Sequence, residues 1–186
     1  MKKRLLLGLL ALSAVVMAES TTTTINVNTK LNINDSGIII TPTPDGTTTA
    51  NSIYLDHGTP DKGLDSVATG KSVYIKTADG QLPAGIKLNV SLDSSKVDGN
   101  NSVTGAKSEA ETIPHQLDGV IKNGALTGTG KLSVVGTTTN AAQTLTTTGE
   151  ALEVAFTSTV AKNNLIGKFS GDYTNTSTLS VTVLAN

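Results

Sequence analysis

The chain has 186 residues, with 14 Lys and Arg against 15 Asp and Glu, no cysteine and 3% aromatic residues. This length suits one domain, the near-neutral charge argues against a nucleic-acid partner, and the lack of cysteine excludes disulfides and a lipid-modified cysteine. So few aromatic residues argue against an outer-membrane barrel, which needs aromatic girdles, and against most sugar-binding faces, which stack a ring on an aromatic side chain.

Residues 1–18 have the pattern of a cleavable signal peptide. The basic residues 2–4 precede an apolar run, and Val16, Met17 and Ala18 form a small-x-small cleavage site. The run has about 12 residues, whereas a membrane span needs roughly 20. We therefore expect export, with a mature chain of 11 Lys, no Arg and 15 acidic residues, a net charge of −4.

Residues 19–33 alternate with period two. The apolar members of this alternation are Ile25, Val27, Leu31 and Ile33. Thr29 fills the middle position of the same phase, so the pattern predicts a β-strand with one buried face. At ~3.3 Å per residue the segment would span about 50 Å.

Further along the chain, short strand patterns alternate with turn signals, and no stretch has sustained helical periodicity. The predicted strands are residues 37–41, 52–55, 72–77, 86–92, 119–121, 131–135, 144–148, 152–159 and 178–184. The turn signals include Asp79-Gly80, Asp118-Gly119 and Asn123-Gly124. Many short strands at such spacing predict an all-β sandwich.

Three other stretches have patterns of their own. Residues 41–50 and 93–110 are polar, with Gly, Ser or Pro, and predict exposed loops. A weak helical pattern covers residues 106–112. Residues 119–136 resemble rungs of a β-helix in their Gly-rich turns, but the repeat does not continue on either side, which favours a hairpin.

The two histidines, His57 and His115, are the first place to look for chemistry. Asp56, Asp61 and Asp65 lie near His57 in the sequence, so a metal site or a catalytic triad is conceivable, but no established motif spacing supports either. We interpret both histidines as exposed residues of polar turns. Because the sequence also lacks a phosphate loop and a marked carboxylate pair, we predict no enzyme, no catalytic residue, no metal site and no cofactor.

A second alternating strand lies near residue 186. Its apolar residues Leu179, Val181 and Val183 alternate with period two and would share one face of the strand. A Gly-x-aromatic-Ser-Gly motif and a tyrosine precede it, at Gly167, Phe169, Gly171 and Tyr173. An apolar strand at the edge of a sheet needs a partner or a cover.

With these two ends, the sequence resembles subunits of chaperone–usher pili, in particular the alternate-chaperone class that includes colonisation-factor fimbriae. The resemblance rests on the signal peptide with its alternating extension, on the Gly-x-aromatic-Ser-Gly element and on the strand at Leu179–Val183, roughly a fifth of the chain. The chain departs from the family in having no cysteine pair and no obvious aromatic residue in its last positions. The resemblance implies an immunoglobulin-like sandwich that is incomplete and is completed by donor-strand exchange.

The resemblance also implies roles for particular residues. Residues 19–30 would be an N-terminal extension and residues 31–186 the domain, because a segment of about 50 Å is too long for one groove. The donor strand would use Thr23, Ile25, Val27 and Thr29 of one copy. The acceptor groove of the next copy would be lined by Leu179, Val181 and Val183. The implied partners are copies of the chain itself, a periplasmic chaperone, an outer-membrane usher and a host-surface receptor or glycan, and the implied location is a cell-surface fimbrium reached through the periplasm.

One alternative stays open beside this hypothesis. The strand over residues 25–33 could instead be the first strand of a closed, monomeric domain. The protein would then be a secreted β-sandwich adhesin or carbohydrate-binding module, with its ligand face on the loops 41–50 or 93–110. The two hypotheses differ in whether the N-terminal strand pairs within its own chain or with another copy.

Overall fold

The computed structural model describes residues 24–33, 37–45, 52–61, 63–94, 96–97, 100–105, 112–126, 130–138, 140–168 and 171–184, and within 24–33, 96–97 and 100–105 it describes the backbone alone. The predicted signal peptide, Thr23 and Phe169 lie outside these residues. In the described part of the chain almost every element is a strand, and the strands form two sheets. The predicted all-β sandwich is therefore confirmed.

The first sheet contains nine strands among the described residues. They are β1 (Thr24–Ile33), β3 (Ser52–Asp56), β5 (Lys87–Ser94), β6 (Lys96–Val97), β7 (Asn100–Gly105), β8 (Thr112–Pro114), β10 (Gly124–Leu126), β12 (Asn140–Thr147) and β14 (Asp172–Val183). Its main path runs β10-β12-β5-β14-β1-β3, and β7 joins it beside β14. Every pairing between described strands of this sheet is antiparallel except that of β1 with β14.

The second sheet is antiparallel and contains five described strands, in the order β11-β9-β13-β4-β2. They are β2 (Ile38–Thr41), β4 (Ser66–Thr77), β9 (Gln116–Lys122), β11 (Lys131–Val135) and β13 (Leu152–Val160). A single short helix, α1 (Lys162–Leu165), follows β13 in the described chain. The sequence pattern did not predict this helix, because four residues are too few to show helical periodicity.

The core lies between the two sheets and follows the predicted alternation. In β13, Leu152, Val154 and Phe156 are buried at every second position. In the first sheet, Leu88, Val90 and Leu92 of β5 are likewise fully buried. Aliphatic side chains on alternate positions of both sheets thus supply the burial that holds the sandwich together.

Residues 119–136 are organised as a hairpin with an insertion. β9 and β11 pair antiparallel, which confirms the hairpin interpretation, and β10 between them joins the other sheet by pairing with β12. Asn123 turns the chain with a φ of 62°, a conformation that Asn tolerates well. The turn prediction at Asn123-Gly124 agrees with this geometry.

The turn prediction at Asp118-Gly119 is wrong, because both residues lie inside β9. Gly119 is needed there for space. A Cβ at this position would lie 3.2 Å from side-chain atoms of Phe156 and of Val154. A glycine in a strand often marks such a close approach of neighbouring groups.

The prediction of a loop over residues 93–110 also needs correction. Residues 93–110 are not one loop, since β5 extends to Ser94 and the chain then forms β6 and β7. β6 has only two residues and β7 is rich in Asn and Ser, so neither has the apolar alternation that would have predicted it. The predicted helix over residues 106–112 lies outside the described residues, apart from Thr112, which begins β8.

Candidate functional site

The feature of the fold that bears most on function is the position of β1 inside the first sheet. β1 pairs in parallel with β14 along all ten of its residues. Its other edge pairs antiparallel with β3, from Asn26 opposite Asp56 to Lys30 opposite Ser52. β14 and β3 are joined only through β1 in the described sheet path, so β1 fills a slot between them.

One side of this slot is β14. Its inner face is buried at alternate positions, which are Tyr173, Asn175, Ser177, Leu179 and Val181. The predicted acceptor residues Leu179 and Val181 are 0% and 1% exposed, and Val183 is partly buried and packs against the same core. The three predicted residues therefore lie together on the strand that flanks β1.

The predicted donor residues are placed by the backbone register of β1. Ile25 is paired with Tyr173, Val27 with Asn175 and Thr29 with Ser177. Leu31 and Ile33 continue the same strand, opposite Leu179 and Val181. The pairing lies within a single chain, because the structure contains one copy.

The Gly-x-aromatic-Ser-Gly motif lies between α1 and β14. Gly167 turns the chain after α1 with a φ of 75°, where only glycine is free of strain. Gly171 immediately precedes β14. Tyr173 is 1% exposed and is among the largest fully buried side chains of the described chain. A buried aromatic side chain therefore lies near the start of β14, two residues after the motif.

A polar cluster where β14 meets β5, at the edge of β14 away from β1, was not predicted. The Ser177 hydroxyl, fully buried, donates to the Ser94 hydroxyl at 2.9 Å. Oδ1 of Asn175 accepts a hydrogen bond from the Ser94 hydroxyl at 3.1 Å and lies equally far from the Ser177 oxygen, whose single proton can be donated to only one of the two neighbours at a time. The strand prediction began at residue 178, so this part of β14 was missed, although the two-residue phase from Leu179 back to Tyr173 could have revealed it.

The prediction that both histidines are exposed is wrong. His57 follows β3, and its Nδ1 lies 2.9 Å from the Ser66 hydroxyl while its Nε2 lies 2.9 Å from the Ser158 hydroxyl. His57 thereby ties the end of the first sheet to β4 and β13 of the second. His115 lies between β8 and β9 and is only 3% exposed.

Burial dominates the titration of both rings. It lowers the pKa of His57, although the nearby Asp56 carboxylate acts in the opposite direction. Burial, with the added repulsion of His57, lowers the pKa of His115 to about 4 from 6.5. Both rings are therefore neutral in the folded protein at pH 7.

The three aspartates near His57 in the sequence accept hydrogen bonds from backbone amides. Oδ1 of Asp56 accepts from the amide of Gly58 at 2.7 Å, and Oδ1 of Asp61 accepts from the amide of Gly63 at 2.8 Å. Asp65 accepts from the backbone amide that begins α1, also at 2.8 Å. The described residues contain no group of three His, Cys, Asp or Glu that could hold a metal ion.

The outer face of the second sheet carries paired charges. Lys131 lies 3.0 Å from Asp118 and Lys122 lies 3.0 Å from Glu153. Burial opposes ionisation of Asp118, but the hydrogen bond from Ser133 and the neighbouring Lys131 lower its pKa overall. The hydrogen bond from Lys122 lowers the pKa of Glu153. These exposed pairs contribute little to stability.

The histidine burial predicts a specific loss of stability in acid. An unfolded histidine binds a proton below pH 6.5, whereas folded His115 does so only near pH 4, so stability falls as the pH drops through this window, by about 2 kcal/mol at pH 5. Asp118 and Glu153 act only at lower pH, because their pKa values are lowered. We expect denaturant unfolding at pH 7 and pH 5 to show this loss and His115→Gln to remove most of it. An equal loss in the variant would contradict the assignment.

One pocket near His115 was considered as a ligand site. Its volume is about 210 Å³, and it is lined by Pro114, His115, Gln116, Val135, Gly136, Thr159, Ala161 and Asn164. Ligand pockets are usually larger, roughly 300–1,000 Å³. The lining includes no Tyr or Phe on which a sugar ring could stack, so this pocket does not favour a carbohydrate-binding function.

The chain was compared with known proteins, and no protein-family model and no curated protein matches it. Among the described residues, no helix is long and apolar enough to cross a membrane.

Proposed function

We propose that this protein is a structural subunit of a surface pilus that polymerises by donor-strand exchange. The observation that carries the proposal is the interior position of β1, between β14 and β3, although β1 precedes all other described elements of the chain. A strand at this place completes the sheet, and an identical strand from a second copy could make the same pairings. Exchange of an identical element between copies is an inexpensive route to assembly.

The backbone supports such an exchange. β14 offers its hydrogen-bonding edge to β1 along ten residues, and β3 offers five from the other side. Without β1, both edges would be open, and open edges of this length attract a strand from another chain. Addition of a strand to a sheet gains affinity from backbone hydrogen bonds and specificity from alternate side chains.

The connection to the rest of the chain also suits an exchange. β1 belongs to the first sheet, whereas β2, which begins only five residues after Ile33, belongs to the second. Gly37, just before β2, has a φ of 104°, a conformation that glycine adopts without strain. A change of direction near this point would send β1 toward a neighbouring subunit and leave the remaining strands in place.

In this proposal the fold is an immunoglobulin-like sandwich whose missing strand is supplied by β1. The partners are further copies of the chain, with a periplasmic chaperone that covers the open slot before assembly and an outer-membrane usher at which the strands exchange. The protein reaches the cell surface as part of a fimbrium and supports adhesion there. No enzymatic role is part of the proposal.

Electrophoresis of the purified mature protein tests the proposal. Strand-exchanged polymers resist denaturant when they are not boiled, because many backbone hydrogen bonds and buried side chains must be broken together. We expect an unboiled sample to give a ladder of multimers that collapses to one band on boiling. A protein that gives only a folded monomer band at every concentration would contradict strand exchange and favour the closed domain.

A further inference from the structure

Polar side chains meet at one end of the otherwise apolar core. His57 follows β3 in the inward phase of Ile53 and Leu55, which are both buried. Ser158 lies in the inward phase of β13, whose other members are apolar, and it is 0% exposed. Nε2 of His57 lies 2.9 Å from Oγ of Ser158, and Nδ1 lies 2.9 Å from Oγ of Ser66 at the start of β4. The ring thus makes one contact between the two sheets.

The contact suits a neutral ring of His57. A neutral imidazole has one N–H donor and one lone pair, so one serine hydroxyl accepts from the ring while the other donates to it. A protonated ring carries a charge, and burial beside Ser158 disfavours the charged form, so the pKa of His57 is lowered. His57 therefore takes up a proton more readily after it has left this contact than while it is held there.

Two neighbouring groups modify this effect. The Asp56 carboxylate raises the pKa of His57, but by less than burial lowers it. His115, which is 3% exposed between β8 and β9, is close enough for a charge on His57 to lower its pKa further. The other charged side chains on the described segments that meet His57 are exposed, namely Asp61, Asp65 and Lys162. Burial thus remains the main obstacle to a proton on His57.

The position of His57 connects this contact to the slot that β1 fills. Asp56, the residue before His57, is paired with Asn26 of β1, and Leu55 is paired with Val27. In the described sheet path β3 is joined to the first sheet only through β1. The bonds of His57 are therefore among the links that hold β3 in place, and release of the ring frees the end of β3 that is paired with β1.

We propose that His57 is an acid-sensitive latch, whose protonation releases the end of β3 from β4 and β13 and loosens the pairing of β1 at Asn26 and Val27. This part of the inference concerns a single chain. In the polymer, and there the inference rests on the proposed function, acid speeds the exchange of β1 between copies. At neutral pH the closed latch retains the strand that already fills the slot.

Hydrogen exchange of the mature protein at pH 7 and pH 5, followed by mass spectrometry in low urea, tests the latch. After correction for the intrinsic effect of pH on exchange, we expect the amides of β3 to exchange several-fold faster at pH 5, with a limit of about ten-fold per pH unit for one proton. This exchange should hardly depend on urea, because release of the latch exposes little surface, whereas exchange of β13 should accelerate with urea as global unfolding does. Amides of β3 that exchange no faster than those of β13, or that do not respond to pH, would overturn the latch.

His57→Gln is the decisive variant, because glutamine keeps a hydrogen-bonding group but takes up no proton. It should remove the effect of pH on β3, whereas His115→Gln should leave that effect, since His115 stays buried when β3 opens locally. Ser158→Ala, which removes one partner of the ring, should speed the exchange of β3 already at pH 7. A purely structural role of His57 would raise the exchange of β3 at both pH values and leave its pH dependence. That result, or loss of the pH effect in His115→Gln, would contradict the proposal.

The rate of multimer formation at pH 7 and pH 5, measured by unboiled electrophoresis, separates this inference from the proposed function. A ladder that forms several-fold faster at pH 5, with no such acceleration in His57→Gln, would support both. A pH-dependent β3 without multimers at either pH would support the latch and contradict the polymer. Multimers that form equally fast at both pH values, with a pH-independent β3, would support the polymer and contradict the latch.

Discussion

A Val27→Asp substitution is expected to abolish the multimer ladder. Val27 is paired with Asn175, which is 4% exposed, near the middle of the β1 register. A carboxylate at this position would have to leave water without a cationic partner, which costs about 3 kcal/mol or more. Since 1.4 kcal/mol is a factor of ten in an equilibrium, the occupied slot should become at least roughly a hundred times less populated. Unboiled denaturing electrophoresis and analytical centrifugation measure the loss.

Asn28→Asp is the matched control for this prediction. It adds the same charge one residue along the strand, at the position paired with half-buried Thr176 on one side and with Tyr54, 57% exposed, on the other. A carboxylate there remains hydrated, so multimers should form as in the unmodified protein. Normal polymerisation of Val27→Asp, or equal failure of both variants, would contradict the assignment of Val27 to the buried phase of the donor strand.

Deletion of residues 24–33 should prevent the isolated chain from folding stably. The deletion removes pairing along ten residues of β14 and five of β3. At about 1 kcal/mol net per hydrogen bond, the lost ladders alone amount to on the order of 10 kcal/mol, comparable with the 5–15 kcal/mol that stabilises a whole domain. We expect an aggregating or chaperone-dependent protein, measured by circular dichroism and gel filtration.

A synthetic peptide of residues 24–33 should restore the fold when it is added during refolding. A control peptide carrying Val27→Asp and Leu31→Asp should not, because both changes fall in the phase of Thr29. Restoration by the first peptide alone would demonstrate that the slot accepts a strand from outside the chain. A truncated protein that folds unaided with the same melting temperature would show that β1 is not needed to complete the sandwich.

The fold class could be predicted from the sequence because alternation of apolar residues is a local property. Leu152, Val154 and Phe156 lie in the predicted strand, and the structure buries all three. Burial that depends on distant parts of the chain could not be predicted in this way. Lys76 is 2% exposed although lysine is rarely buried, since its Nζ donates to the carbonyl of Pro44, 32 residues earlier.

The candidate site was predicted in part. The sequence identifies β1 and the segment that contains Leu179 and Val181, because apolar residues recur at every second position in both. Ser94 and Ser177 form no apolar pattern, and the hydrogen bond that joins them depends on the meeting of β5 with β14. The same holds for His115, which is buried although its sequence neighbours are typical of a turn.

By itself, the sequence determined that this chain makes short alternating strands, that two of them lie near its ends, and that Thr29 interrupts the first. Those properties are local, because the buried face of a strand is made up of every second residue along the chain. Only the tertiary structure decided that β1 lies between β14 and β3, in parallel with β14 and with Thr29 opposite Ser177. The register of β1 on β14 depends on pairing between residues more than a hundred positions apart. An alternating pattern alone does not choose among partner strands that present the same phase.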